Sequence, residues 1–189
     1  MEYIVLSFLR LSVHVVMKCI VFIFLLIPGL FDKSVANASM AEVHDSLLML
    51  DCDIVPELNK KVINFVHTKI KKKVGRGECW DLANEALLSI DATWDGRYKF
   101  GRLVDHKTEC VYPGDIMQFE NVKSVIKDGS RTDYQEFPHH TAIIYEVKGQ
   151  GKFVLAHQNT TFSGKKVGLS DLDLATVTKG KIKIYRPVK

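Results

Sequence analysis

The apolar residues of this chain change their period once, close to Asp91, and that switch limits the possible folds more than any single motif does. Before it the spacing is helical. From Pro56 to Ile70, the residues Val62, Ile63, Phe65, Val66 and Ile70 recur near every third or fourth position, and Pro56 suits a first turn. From Cys79 to Ile90, an apolar face of Leu82, Ala83, Ala86, Leu87 and Ile90 predicts a second amphipathic helix. Ser39 to Asp51 reads as a shorter one. After Asp91 the chain turns aromatic and β-prone. Trp94 to Val104 carries Gly96 and Gly101 as turns, and Gly114–Glu120, Thr141–Val147, Lys152–His157 and Lys181–Tyr185 read as strands. Lys148-Gly-Gln-Gly151 is a hairpin signal. Lys181 to Tyr185 alternates strictly, as a strand with one buried face does. Helices first and strands afterwards predict an α+β domain. Residues 121–138 are polar and irregular, and a loop of that length in a small domain is expected to be functional.

The 189 residues leave room for one domain and an appendage. Met1 to Phe31 is almost continuously apolar, broken by Glu2, Arg10, His14 and Lys18. Lys18, the apolar run Cys19–Phe31 and Ala36-Asn37-Ala38 follow the pattern of a secretory signal with its cleavage site. Ser34-Val35-Ala36 and Ser39-Met40-Ala41 are weaker sites, and Met17 is an alternative start. The competing reading is a membrane anchor over residues 4–31, which Arg10 and Lys18 make costlier. Residues 1–38 are therefore expected to be a signal peptide or anchor, 39–70 a helical segment and 71–189 the catalytic domain. The expected location is secreted, periplasmic or otherwise extracytoplasmic.

The net charge is +4. That falls short of the footprint of a dedicated nucleic-acid binder, and no nucleic-acid partner is expected. The run Lys71-Lys72-Lys73, ahead of Gly75 and Gly77, fits a solvated helix end, where cations also suit the macrodipole. Contact with an anionic polymer is the alternative. Membrane contact is expected only through an uncleaved N-terminal segment.

Cys79 opens the second helix. A thiol there meets unpaired N–H groups and the positive end of the dipole, so its reactive thiolate is expected to be favoured. Glu78 and Asp81 act against that; Asp81 is read as a first-turn residue and Glu78 as solvent-facing. A catalytic thiol also needs a base and a group that orients the base. His140, at the start of the Thr141–Val147 strand, is placed to face a helix packed on the sheet, with His139 as its rival. In the neighbouring strand His157 and Asn159 are expected to share one face, with Gln158 pointing away. Taken singly, a histidine at a strand end is usually plain polar surface. The combination is what points to catalysis. Cys79, His140, His157 and Cys110 match no familiar zinc spacing, and no metal or cofactor is expected. Cys52 and Cys110 are free to form a disulfide that leaves Cys79 reduced.

Four segments in order, Gly77-Glu78-Cys79-Trp80-Asp81-Leu82-Ala83, Pro113-Gly114-Asp115-Ile116-Met117-Gln118-Phe119, His140-Thr-Ala-Ile-Ile and Ala156-His157-Gln158-Asn159, resemble the CHAP and NlpC-type cysteine peptidases. The resemblance covers roughly residues 70–189. It implies a papain-like α+β fold, with the nucleophile's helix packed on an antiparallel sheet. It also implies amide cleavage, most often in peptidoglycan. Carried over by position, Cys79 is the nucleophile, His140 the base and acid, and His157 the residue that orients the imidazole, with Asn159 as the alternative helper. CHAP members often carry an acidic residue where His157 stands, and NlpC-type members often use histidine, so the chain mixes two patterns. The expected partner is peptidoglycan or a peptide substrate. Two rivals remain at this stage: a non-catalytic binding module, and a cysteine acyltransferase or deamidase with the same constellation.

Overall fold

The structure, a computed structural model, describes residues 52–189, which lie in one compact unit. The expectations for 1–38, for the anchor at 4–31, for Met17 and for a helix over Ser39–Asp51 fall outside the described residues. Among the described residues no helix is long and apolar enough to cross a membrane.

Helix α1 spans Glu57–Lys69 and follows Pro56, whose fixed φ and missing N–H suit an entry turn. Helix α2 spans Cys79–Ser89 and buries Leu82, Ala83, Ala86 and Leu87, as the spacing predicts. Its first turn is closed by Asp81. That carboxylate accepts the backbone N–H of Arg76 (2.7 Å) and of Glu78 (3.1 Å) and pairs with the Arg76 guanidinium at 3.2 Å. Burial alone would raise the Asp81 carboxyl, but these donors outweigh it and hold it below the usual carboxylate range.

Six strands follow: β1 (Arg102–Val104), β2 (Ile116–Asp128), β3 (Arg131–Gly149), β4 (Lys152–His157), β5 (Gly168–Asp173) and β6 (Val177–Arg186). They form one sheet in the order β1-β6-β2-β3-β4-β5, every neighbour antiparallel. Successive strand residues face opposite sides, and two cores result. On one side α1 and α2 pack Val62, Val66, Leu82, Ala86 and Leu87 against Ile116, Ile143, Ala156 and Tyr185. On the other side lie Met117, Phe119, Ala142, Ile144, Leu155 and Ile184.

The structure departs from the sequence expectations in three places. Residues 121–138 are no loop: β2 and β3 continue as one long hairpin, in register from Val122↔Phe137 to Asp128↔Arg131. Asn121, at φ +53°, interrupts the alternation, and the β3 arm beyond it stays largely exposed, so no two-residue apolar period marks it. Strand β5, Gly-Leu-Ser-Asp-Leu-Asp, has no counterpart among the strands expected from the sequence and is held by its pairing with β4. Of Trp94–Val104 only Arg102–Val104 is a strand; Trp94 and Phe100 instead stack at 5.4 Å beside the helix-side core.

Pro113-Gly114-Asp115-Ile116 joins the layers. Gly114 has φ +88°, and a Cβ there would lie 2.5 Å from the Asn59 carbonyl of α1. Asp115, fully buried, accepts Arg186 Nε at 3.1 Å and a guanidinium nitrogen at 2.8 Å, Asn59 Nδ2 at 2.7 Å and the Tyr112 N–H at 2.9 Å. The disulfide Cys52–Cys110 is present, with Cys79 left as a free thiol. It closes a loop across a sequence separation of 58. By chain entropy that is worth about 4 kcal/mol. Cys52→Ala/Cys110→Ala is expected to lose a large part of it in urea denaturation, and an unchanged midpoint would refute that role.

Candidate active site

The loop before α2 is gripped by the segment that follows β4. Gln158 is fully buried: its Oε1 accepts the Val74 N–H at 3.1 Å, and its Nε2 donates to the carbonyls of Val74 and Glu78, both at 2.8 Å. Gly77, at φ +89°, lets Lys165 pack across the loop, where a Cβ would lie 2.8 Å from the Lys165 Cβ. Lys165 pairs with the Glu78 carboxylate, which also accepts Asn159 Nδ2 at 2.7 Å. Glu78 is thus neutralised in part rather than simply solvent-facing, and Cys79 is fixed at the mouth of a cleft.

Strand β4 ends at His157, and Asn159 sits at φ +63°. The alternation expected to continue to Asn159 has stopped. Asn159 turns to Glu78, makes no bond to an imidazole, and Gln158 points inward instead of away.

His140 stands opposite Phe119 in the β2–β3 register and so lies on the face away from the helices. The sequence reading had it facing them. Ile143 packs toward the helices, and an offset of three residues along a strand puts His140 on the other side. The thiol still reaches this region because β3–β4 pairing begins only at Ile143↔Ala156. At Thr141 that edge of β3 is open, and the Thr141 backbone amide points at Cys79 Sγ, as do those of Trp80 and Cys79 itself.

His140 Nε2 lies 2.9 Å from His157 Nδ1, and His157 Nε2 lies 2.9 Å from Ser170 Oγ on β5. Both rings are buried, with Phe137 5.3 Å from His140 and Phe162 5.4 Å from His157. With Ser170 Oγ as acceptor, His157 carries its proton on Nε2 and offers a lone pair at Nδ1. His140 then donates from Nε2, and its Nδ1 is left basic. Cys79, His140, His157 and Ser170 line one cleft of about 490 Å³. No hydrogen bond joins Cys79 Sγ to an imidazole; such bonds commonly tighten only around substrate. His139 also lines the cleft, with its side chain on the opposite face of β3 from His140. It bonds Glu120 at 2.9 Å and meets the edge of Tyr98 at 4.4 Å. Gln158 and Ser170 were missed in the sequence reading. Nothing in the order of residues separates Ser170 from its neighbours; only the Leu155↔Ser170 pairing brings it to His157.

Burial pushes the Cys79 thiol up, and the Glu78 carboxylate adds to it, against the three backbone amides. Burial lowers His140 to about 4, helped by His139, and His157 to about 3, helped by His140. The resting pair is therefore a neutral thiol and a neutral imidazole, contrary to the thiolate expected from the helix terminus. Desolvation of a buried sulfur outweighs a few backbone dipoles.

The same burial links stability to pH. Both histidines have folded values below their ordinary 6.5, so the unfolded chain takes up protons first as pH falls. The contribution is complete above pH 6.5 and is lost on the way down to about 4 and about 3. It amounts to about 2–3 kcal/mol per imidazole by pH 4.5. Urea midpoints are expected to fall between pH 6.5 and 4.5, above the range where carboxylates titrate, and to fall less in His157→Gln. A flat profile would contradict it.

A half-buried thiol at a helix start, an imidazole pair on the sheet and a shared cleft define the cysteine-proteinase class of fold. The chain belongs to the AIM3/BBC1 cysteine proteinase-fold domain family, whose model matches residues 55–189; this is an α+β papain-like fold. It is 30% identical over 147 residues to Altered inheritance of mitochondria protein 3 of Debaryomyces hansenii, a match covering 67% of this chain and 15% of that protein. The matched region thus spans a small part of that relative's length. The crystal structure of Ly7917 shares 16% identity over 67% of this chain and 62% of that one, with a TM-score of 0.43, too distant to bear on function.

Proposed function

We propose that the cleft performs thiol-dependent acyl transfer to water, cleaving amide bonds of a polypeptide. The relay His140–His157–Ser170, ending in a basic Nδ1 in the cleft that holds Cys79, carries this reading. His140 Nδ1 takes the thiol proton as Cys79 Sγ attacks the carbonyl carbon. The N-terminal amides of α2, already aimed at Sγ, stabilise the developing oxyanion. The imidazolium returns its proton to the leaving amine as the C–N bond breaks and the thioester forms. His140 then deprotonates a water that attacks the thioester, and the thiol is restored.

The narrower expectation of a CHAP- or NlpC-type enzyme acting on peptidoglycan finds no support in the family match or in a yeast relative. Extracytoplasmic location is supported by the apolar N-terminal pattern, and the Cys52–Cys110 disulfide suits an oxidising compartment. The second reading, a binding module without turnover, is favoured by one observation: burial keeps thiol and imidazoles uncharged at rest.

A pool of peptide acyloxymethyl ketones, followed by intact mass, separates the two. Adducts are expected on Cys79 of the full chain, absent in Cys79→Ala and slowed in His140→Gln. Equal rates with and without His140 would leave the binding module.

A further inference from the structure

Strand β3 pairs with β2 from Arg131 to Ile143, and with β4 only from Ile143 to Gly149. Among the described residues, 131–142 therefore has a partner on one edge only. The cleft runs along the other edge. Every residue from Tyr134 to His140 lines it. Side chains of consecutive strand residues point to opposite faces, so a wall made by seven in succession is the backbone edge itself, with its N–H and C=O groups. The free edge continues the track that β4 leaves at His157, and it leads to Thr141, whose backbone amide favours the Cys79 thiolate.

We propose, resting on the acyl-transfer reading above, that the cleft takes its substrate as an extended polypeptide added as a strand to the β3 edge between Arg131 and Phe137. Main-chain hydrogen bonds hold such a strand with little regard to side chain. Three features fit that occupant. Pro138 has no N–H to offer, so the ladder stops short of His140. The charged side chains of the arm are already paired, Lys123 with Glu136 and Arg131 with Asp133, so no charge of one sign repels the newcomer. Tyr134 and Phe162, exposed at 73% and 56%, both line the cleft and offer rings on which side chains of an added strand would rest. A glycan, a lipid or a small amide makes no use of such an edge.

The test uses the full chain carrying Cys79→Ser, which binds without turnover. A random decapeptide library is panned against it, and the best peptide is resynthesised with one backbone N-methyl group at each position in turn. The selected peptide is expected to slow hydrogen exchange at 131–137. N-methylation at alternate positions is expected to weaken it about tenfold or more, because each removes a donor and clashes with the edge. Failure to enrich any peptide, protection elsewhere, or an N-methyl series of equal affinity would overturn the proposal. Catalysis is judged separately, by the ketone adducts on Cys79. Edge protection without adducts would remove the enzyme and keep the strand site; adducts without edge protection would do the reverse.

Discussion

Replacing Cys79 by Ala is expected to lower kcat/KM for peptide-amide hydrolysis by about 10⁴-fold or more, with the folded state intact. His140→Gln should fall nearly as far, and the double variant scarcely further, because residues that act as one unit lose their effect together. The reason lies in the resting charges. Burial holds Cys79 as a thiol and His140 as a neutral base, so neither is competent alone. The thiol must pass its proton to His140 in the attack itself. His157→Gln should cost less, about 10–100-fold, since His157 touches His140 and not the substrate. Its positioning role would appear as an altered acid limb of the pH profile rather than as lost binding. Residual activity in Cys79→Ala would end the cysteine mechanism.

Asp115→Ala is expected to destabilise the domain by about 3–5 kcal/mol, lowering the melting temperature by about 10–20 °C. Asp115 takes hydrogen bonds from α1, from the Tyr112 backbone and twice from Arg186, all in an environment closed to water. Removing it strands the Arg186 guanidinium, which is 13% exposed and, among the described residues, is left with the Cys110 carbonyl as its hydrogen-bond acceptor. Its stacking on Tyr112 at 4.5 Å does not replace a counter-charge. Arg186→Met added to Asp115→Ala should recover part of the loss, because the orphaned charge goes with it. A drop under about 1 kcal/mol would show that the carboxylate is dispensable. This is the physical content of the Pro-Gly-Asp-Ile element: it holds the sheet to α1 and touches no reacting atom.

Much was legible in the residue order where apolar spacing repeats. Helices Glu57–Lys69 and Cys79–Ser89, the Lys152–His157 strand and the place of Cys79 at a helix start all follow from period and from punctuation by Pro and Gly. The Cys52–Cys110 pairing was open to the sequence only as one way to leave Cys79 reduced, and the structure forms it. Period fails where no face is buried. The β3 arm from Arg131 to His139 is solvated along most of its length, so its strand character exists only in its ladder with β2. The papain-like α+β class was within reach of the sequence, since helices and strands separate along the chain. Cys79, His140 and His157 were within reach as well, and they line one cleft; how they meet was not. That His140 faces away from the helices, that Asn159 leaves the strand to bind Glu78, that Gln158 turns inward and that Ser170 completes the relay depend on where β3–β4 pairing starts and stops. So does the charge state of the thiol, because desolvation is a property of the packed cleft and not of any residue in it. Short-range spacing chose the elements; the pairing of segments far apart in the chain chose which side chains meet.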